Sequence, residues 1–164
     1  MTIPIKTRIK RDHRLKVSEW RNVSKVAWKH AGEVWHDELL PKHFTEEGAR
    51  EYRYKRRSRR HREKKLRRYG HSRPLEFSGE LRRQVMRVRD VRVVGDNSRR
   101  RGTAKVVLHG PRHLYAFRRD LDQPNKAKEL QAVSRADARR IGRVMDESLT
   151  RELGKTGRDE EVRP

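Results

Sequence analysis

Two kinds of side chain in this 164-residue sequence could do chemistry, a set of eight histidines and scattered pairs of acids, and neither is spaced for it. His109 and His113 are four residues apart, the separation that lets two imidazoles share a metal on a helix. Gly110 and Pro111 stand between them and break any helical face. His30 and His36 are six apart on one helical stretch and do not align, so histidines at the surface beside arginines are the expected arrangement. Glu46 with Glu47, or Asp120 with Asp122, could serve as a paired acid and base only inside an apolar enclosure that separates their pKa values. The flanking residues supply none. The sequence contains no phosphate-binding Gly-rich loop ending in Lys-Ser/Thr, no dinucleotide fingerprint, no nucleophile elbow and no His-Glu-x-x-His pair. No constellation for a nuclease or other enzyme is visible, and no cofactor or metal is expected.

What the sequence does concentrate is positive charge. Forty-five Lys and Arg against 23 Asp and Glu leave a formal net charge of +22, with 32% hydrophobic and 41% charged residues. Self-repulsion on this scale opposes compaction unless an anionic neighbour screens it. The stretch from Arg50 to Arg73 is the densest part: Arg53, Lys55, Arg56, Arg57, Arg59, Arg60, Arg62, Lys64, Lys65, Arg67 and Arg68, with Leu66 and Tyr69 the only large apolar groups after Tyr54. Having no apolar face of its own, Lys55 to Arg68 reads as an arm or exposed helix ordered by what it touches. Tyr52, Tyr54 and Tyr69 interleave with the cations. They read equally well as base-stacking rings and as anchors that tie the arm to a core. Sequence-specific base reading is not expected, since no recognition-helix, zinc-finger or RNP pattern accompanies the charge.

Elements must position that arm. Trp20, Val23, Ala27, Ala31, Val34 and Trp35 recur at helical spacing between Ser18, placed as a cap, and Leu40, with Pro41 as the stop. Trp20, Trp28 and Trp35 stripe that helix as core or subunit contacts, Trp28 being the candidate interface residue. Thr45 opens a short helix toward Tyr54. Leu75, Phe77 and Leu81 anchor an extended stretch that leads into a short helix capped by Ser78. Val88 to Val94 and Thr103 to His109 form a β-hairpin whose basic tip carries Arg99, Arg100 and Arg101. Leu114, Tyr115 and Phe117 form an apolar patch in the following loop, and Ser134 to Asp137 is a capping box opening a helix that ends near Gly154.

The expected fold class is α+β: a small single domain in which N- and C-terminal amphipathic helices pack on an antiparallel hairpin or sheet, with an extended basic arm. The expected boundaries are an N-terminal extension at 1–17, the domain at 18–154 including the arm at 50–73, and a mobile tail at 155–164. Without cysteine the fold rests on packing, and without a long apolar run neither a signal peptide nor a spanning helix is expected, so the protein should be soluble in the cytoplasm where it is made.

Three motifs carry a resemblance. Pro74-Leu75-Glu76-Phe77-Ser78-Gly79-Glu80-Leu81-Arg82 leads into the hairpin, the basic run ending in Lys64-Lys65 follows its tyrosines, and Glu129 to Asp137 precedes the last helix. Together with the order of the elements, they resemble the tail-completion or virion-morphogenesis proteins of tailed bacteriophages, the small head-to-tail joining proteins. The resemblance implies a non-catalytic protomer of a ring at the portal, neck or tail end. It would be found in the virion and, during assembly, in the host cytoplasm. Its partners would be further copies of itself, portal, connector or tail-tube proteins, and DNA contacted without sequence preference; no membrane is involved. The alternative is a general nucleic-acid-binding or ribosome-associated protein. With the basic stretch read as an assembly arm, neutralising Arg56, Arg57, Arg59 and Arg60 together is expected to impair docking and leave the helices and hairpin folded.

Overall fold

The computed structural model describes residues 2–8, 16–76, 78–94, 101–111 and 125–155. The central element is α1 (Val17–Val34), whose Ala27, Trp28 and Ala31 are fully buried, with Trp20 and Val23 nearly so. Its first turn is closed by the Glu19 carboxylate, which accepts a hydrogen bond from the Lys16 backbone N–H at 2.8 Å, so Lys16 is the cap in place of Ser18.

The helix does not stop before Pro41. It widens into a π-helical turn at Trp35–Leu39 and tightens into a 3-10 turn at Leu40–Phe44 that contains Pro41 near its start. Proline has no N–H to place in a ladder and fits the first turn of a helix, so the chain changes helix type instead of ending. The Leu40 N–H reaches back to the Trp35 carbonyl, and Leu39, Leu40 and Phe44 enter the core.

Three antiparallel strands, β1 (Thr2–Arg8), β2 (Asp90–Val94) and β3 (Arg101–Val107), form a sheet in the order β1-β3-β2. The hairpin pairing is present, with Val91 opposite Val106 and Val93 opposite Ala104; the tip, with Arg99 and Arg100, lies outside the described residues. The first residues are not an extension. They pair along the whole of β3, Ile3 opposite Val106 and Ile5 opposite Ala104, and Pro4 is accommodated because β1 is an edge strand.

α1 carries the sheet on one side and the C-terminal helix on another. Gly32 faces β2 so closely that a Cβ there would meet Val91 Cγ1 at 2.5 Å. Toward the C-terminal helix, His30 Nδ1 lies 2.6 Å from Ser148 Oγ. That helix therefore rests mainly on α1, with α1 in turn on the sheet, and the two amphipathic helices do not share one sheet face.

The remaining helices are α2 (Glu46–Glu51), α3 (Arg59–Tyr69), α4 (Glu80–Arg87), α5 (Lys126–Leu130) and α6 (Arg135–Gly154). α2 is capped by Thr45, whose Oγ1 accepts from Gly48 N at 3.0 Å. α6 opens with the expected capping box, Asp137 N donating to Ser134 Oγ at 3.1 Å and Ser134 N to the Asp137 carboxylate at 3.2 Å. α4 begins at Gly79, which has φ +79°, and no side chain caps it. Ser78 is therefore not the cap, because the chain enters the helix through a left-handed residue that only glycine adopts without strain. Leu75 and Leu81 are buried in the common core, as expected; Phe77, the 112–124 stretch with Leu114, Tyr115 and Phe117, and the tail beyond Lys155 lie outside the described residues. The architecture is thus α+β, and among the described residues no helix is long and apolar enough to cross a membrane.

Candidate polyanion interface

The basic stretch is neither extended nor separate from the body. It contains the regular helix α3, started by Ser58, whose Oγ accepts from His61 N at 3.3 Å, and ended by Gly70 at φ 71°. Two polar contacts attach it. Arg57, just ahead of the helix, donates from both terminal nitrogens to the Glu129 carboxylate of α5 at 2.9 and 2.6 Å. The Glu129 side chain is 9% exposed and that of Arg57 21%, so this is a largely desolvated bidentate pair. Lys65, on the helix itself, is 5% exposed and donates its ammonium to the Arg73 carbonyl; burial pulls its pKa down to about 8, partly offset by Glu76.

Tyr52 and Tyr54 complete the attachment. Tyr52 is buried and its ring stacks on that of His43, centroids 4.1 Å apart and planes 7° from parallel. The Tyr54 hydroxyl donates to the Glu129 carbonyl at 3.1 Å and is held by His43 Nδ1, which must then carry the proton and donate to it. Of the two open readings, anchoring holds for these rings. Tyr69 is half-buried, with the Arg68 guanidinium 5.5 Å over it.

His43 is fully buried, and its Nε2 has no hydrogen-bond partner. Protonation would place an N–H there with nothing to accept it, and burial, opposed by Asp137, pushes the imidazole down to about 4. Asp137 is 1% exposed. Burial would raise its carboxyl, but the Tyr52 hydroxyl facing it, the Ser134 backbone and hydroxyl, and Lys42 at 3.3 Å hold it below the usual carboxylate range. The Tyr52 hydroxyl approaches this carboxylate without making a hydrogen bond of regular geometry.

Arg53 (φ 53°), Lys55, Arg56, Arg59, Arg60, Arg62, Lys64, Arg67 and Arg68 are exposed. Arg59 is tied to Glu63 at 2.7 Å. Among the described residues, Arg56, Arg60, Arg62, Lys64 and Arg67 have no ion-pair partner. Arg101 lies in β3 opposite Arg8. Trp20, Trp28 and Trp35 all lie in the core. Trp28, at 0% exposure, is unavailable to a neighbouring subunit because α1 is covered on both sides. His36 and His43 likewise depart from the expectation of surface histidines. The His36 ring lies between the Asp37 carboxylate at 2.8 Å and the Val85 carbonyl at 3.2 Å, which ties the π turn to α4.

Below α3 an open groove of about 580 Å³ runs between Pro41, Phe44, Leu66, His71, Arg73 and Arg82, closed at one side by a 2.7 Å hydrogen bond from Ser72 to Glu46. Among the described residues no three His, Cys, Asp or Glu side chains are grouped as a metal ion would require. Sequence reasoning missed Glu129, His43 and Asp137 as the residues that hold the arm. The one local signal was Asp137 in its capping box. Comparison with known protein families, curated proteins and solved structures returned no match.

Two outcomes test this geometry. Arg57→Ala leaves the buried Glu129 carboxylate unpaired and is expected to lower stability in urea unfolding by roughly 1.5–3 kcal/mol, whereas Arg56→Ala one residue earlier changes nothing measurable. Equal effects would show the pair to be incidental. For His43 the folded state stays neutral down to about pH 4 while the unfolded imidazole charges near 6.5. The unfolded state therefore binds more protons in this window, and about 3 kcal/mol of stability is lost as pH falls from 6.5 to 4. Asp137 contributes only lower, as its carboxyl protonates. Urea midpoints measured across that window should fall with pH in the native protein and flatten in His43→Asn; an unchanged slope would place the proton elsewhere.

Proposed function

We propose that the chain is a non-catalytic structural protein that docks through α3 on an anionic surface inside a larger assembly, as a protomer at the head-tail junction of a tailed bacteriophage. The observation that carries the docking element is the outward surface of α3, where exposed cations without partners stand on a helix already fixed to the body through Arg57, Lys65, Tyr52 and Tyr54. A helix held in place before contact loses little conformational entropy on binding, which suits an element that joins one ring to the next.

The assignment to the head-tail junction rests on the sequence resemblance, in which Leu75 and Leu81 of the Pro74 to Arg82 motif serve as core anchors next to the groove under α3. Ring formation is consistent with the same physics. A chain with a formal charge of +22 repels its own copies, and closed symmetric contacts, screened by an acidic neighbour or by DNA in the lumen, offset that repulsion without leaving a free interface.

Multi-angle light scattering over a wide concentration range, with and without purified portal, connector or tail tube, tests this reading. Defined oligomers, or monomers that assemble on one of those partners, are expected. A monomer at every concentration that binds none of them would exclude the role.

A further inference from the structure

We infer that the outward stripe of α3, Arg60, Lys64 and Arg67, is a binding surface for the phosphate backbone of a double-stranded nucleic acid. This deepens the reading of α3 as the docking element by naming its partner.

The placement follows from helix geometry. At 3.6 residues per turn, positions 60, 64 and 67 fall within an arc of about 60°, and the buried Lys65 lies about 130° away from its centre. The half-buried Tyr69 lies directly opposite. The face toward the body is thus occupied by Lys65 and Tyr69, and the stripe points away from it. All three cations are exposed and, among the described residues, none has an ion-pair partner. From Arg60 to Arg67 the stripe runs about 10 Å along the axis, the length over which one strand of a duplex presents about three phosphates at ~3.4 Å per step. The exposed Arg68, about 70° from the centre of the stripe, flanks it and widens the positive field.

The chemistry of the stripe favours phosphate over an acidic protein. The centre of a protein interface is depleted of charge and enriched in aromatic anchors. Here the nearby rings Tyr52 and Tyr54 are committed to His43 and Glu129, and the exposed Leu66 sits about 130° off the stripe. The same commitment separates duplex from single strand. Single-strand binders stack bases on accessible rings; among the described residues no Trp, Tyr or Phe ring is exposed, and the exposed His61 sits about 90° off the stripe.

Fluorescence anisotropy of the full chain with a labelled duplex, between about 50 and 200 mM salt, reads the contacts directly, because each neutralised phosphate adds about 0.9 to the slope of log K against log salt. Arg60→Ala/Lys64→Ala/Arg67→Ala is expected to reduce that slope by roughly 2.7 and affinity at about 0.1 M salt by on the order of 100-fold, with circular dichroism and melting unchanged. Lys64→Gln alone should reduce the slope by about 0.9, which covers the case in which the triple variant fails to fold. Arg135→Ala/Arg139→Ala/Arg143→Ala on α6 removes the same formal charge and should leave the slope nearly intact.

The inference is overturned if the α6 variant changes the slope as much as the α3 variant, if the native chain shows no salt-dependent duplex binding, or if it binds a single strand of equal length more tightly. Docking on a connector without duplex binding would overturn it and leave the proposed function standing. Duplex binding by a chain that neither assembles nor docks would do the reverse.

Discussion

A helix with seven Arg and Lys among eleven residues and one large aliphatic side chain cannot hold itself on a core by hydrophobic contact, so polar contacts must hold it. The Arg57 and Glu129 pair is the chief of these. It joins the start of α3 to α5, and Glu129 is also the residue whose backbone carbonyl receives the Tyr54 hydroxyl. Two segments separated by 72 residues in sequence are thereby fixed to each other at one point. His43 sits beneath that point, stacked on Tyr52, and Asp137 extends the network into the capping box of α6. The basic surface of the protein is therefore built on a buried polar network in which charge is neutralised locally, while the outer face of the same helix stays unneutralised.

Such a network stabilises the fold less than an equal volume of well-packed apolar side chains would, because desolvating Arg57, Glu129, Lys65 and Asp137 offsets much of their mutual attraction. Its effect is positional. Bidentate geometry at Glu129 and the Lys65 contact with the Arg73 carbonyl fix both the axis and the rotation of α3, which decides which cations face outward. The core proper is made elsewhere. α1 brings its tryptophans between the sheet and α6, and the π turn and 3-10 turn beyond it deliver Leu39, Leu40, His43 and Phe44 to the place where the arm must attach. Had the helical run that continues α1 through the π and 3-10 turns stopped ahead of Pro41, His43 would not sit under Tyr52 and Tyr54.

Much of this was legible in the sequence where the signal is local. The spacing of Trp20, Val23, Ala27 and Ala31 marks α1, the Ser134 and Asp137 pair marks the start of α6, and the β-branched run to Val94 marks the hairpin. Ile3 and Ile5 alternate with other residues in the sequence, but Pro4 between them and Lys6 after them are poor strand residues, and only the pairing with β3 makes a strand of this segment. The roles inside the arm were not legible, because Arg56 and Arg57 are the same residue type in the same context. What separates them is a carboxylate far away in the chain. The tyrosines posed the same problem, since a ring that stacks on a histidine and a ring that stacks on a base look alike until the histidine is in place.

The central claim is that α3 is a preformed helix fixed by its inner face and not a charged coil that orders on contact. Amide hydrogen exchange of the free protein over residues 59–69, at low salt and without any polyanion, tests it most directly. Protection of the Glu63 to Tyr69 amides well above the rate of an unstructured chain, lost on Arg57→Ala, is the result this account predicts. Exchange of those amides at the unstructured rate in the native protein would contradict it.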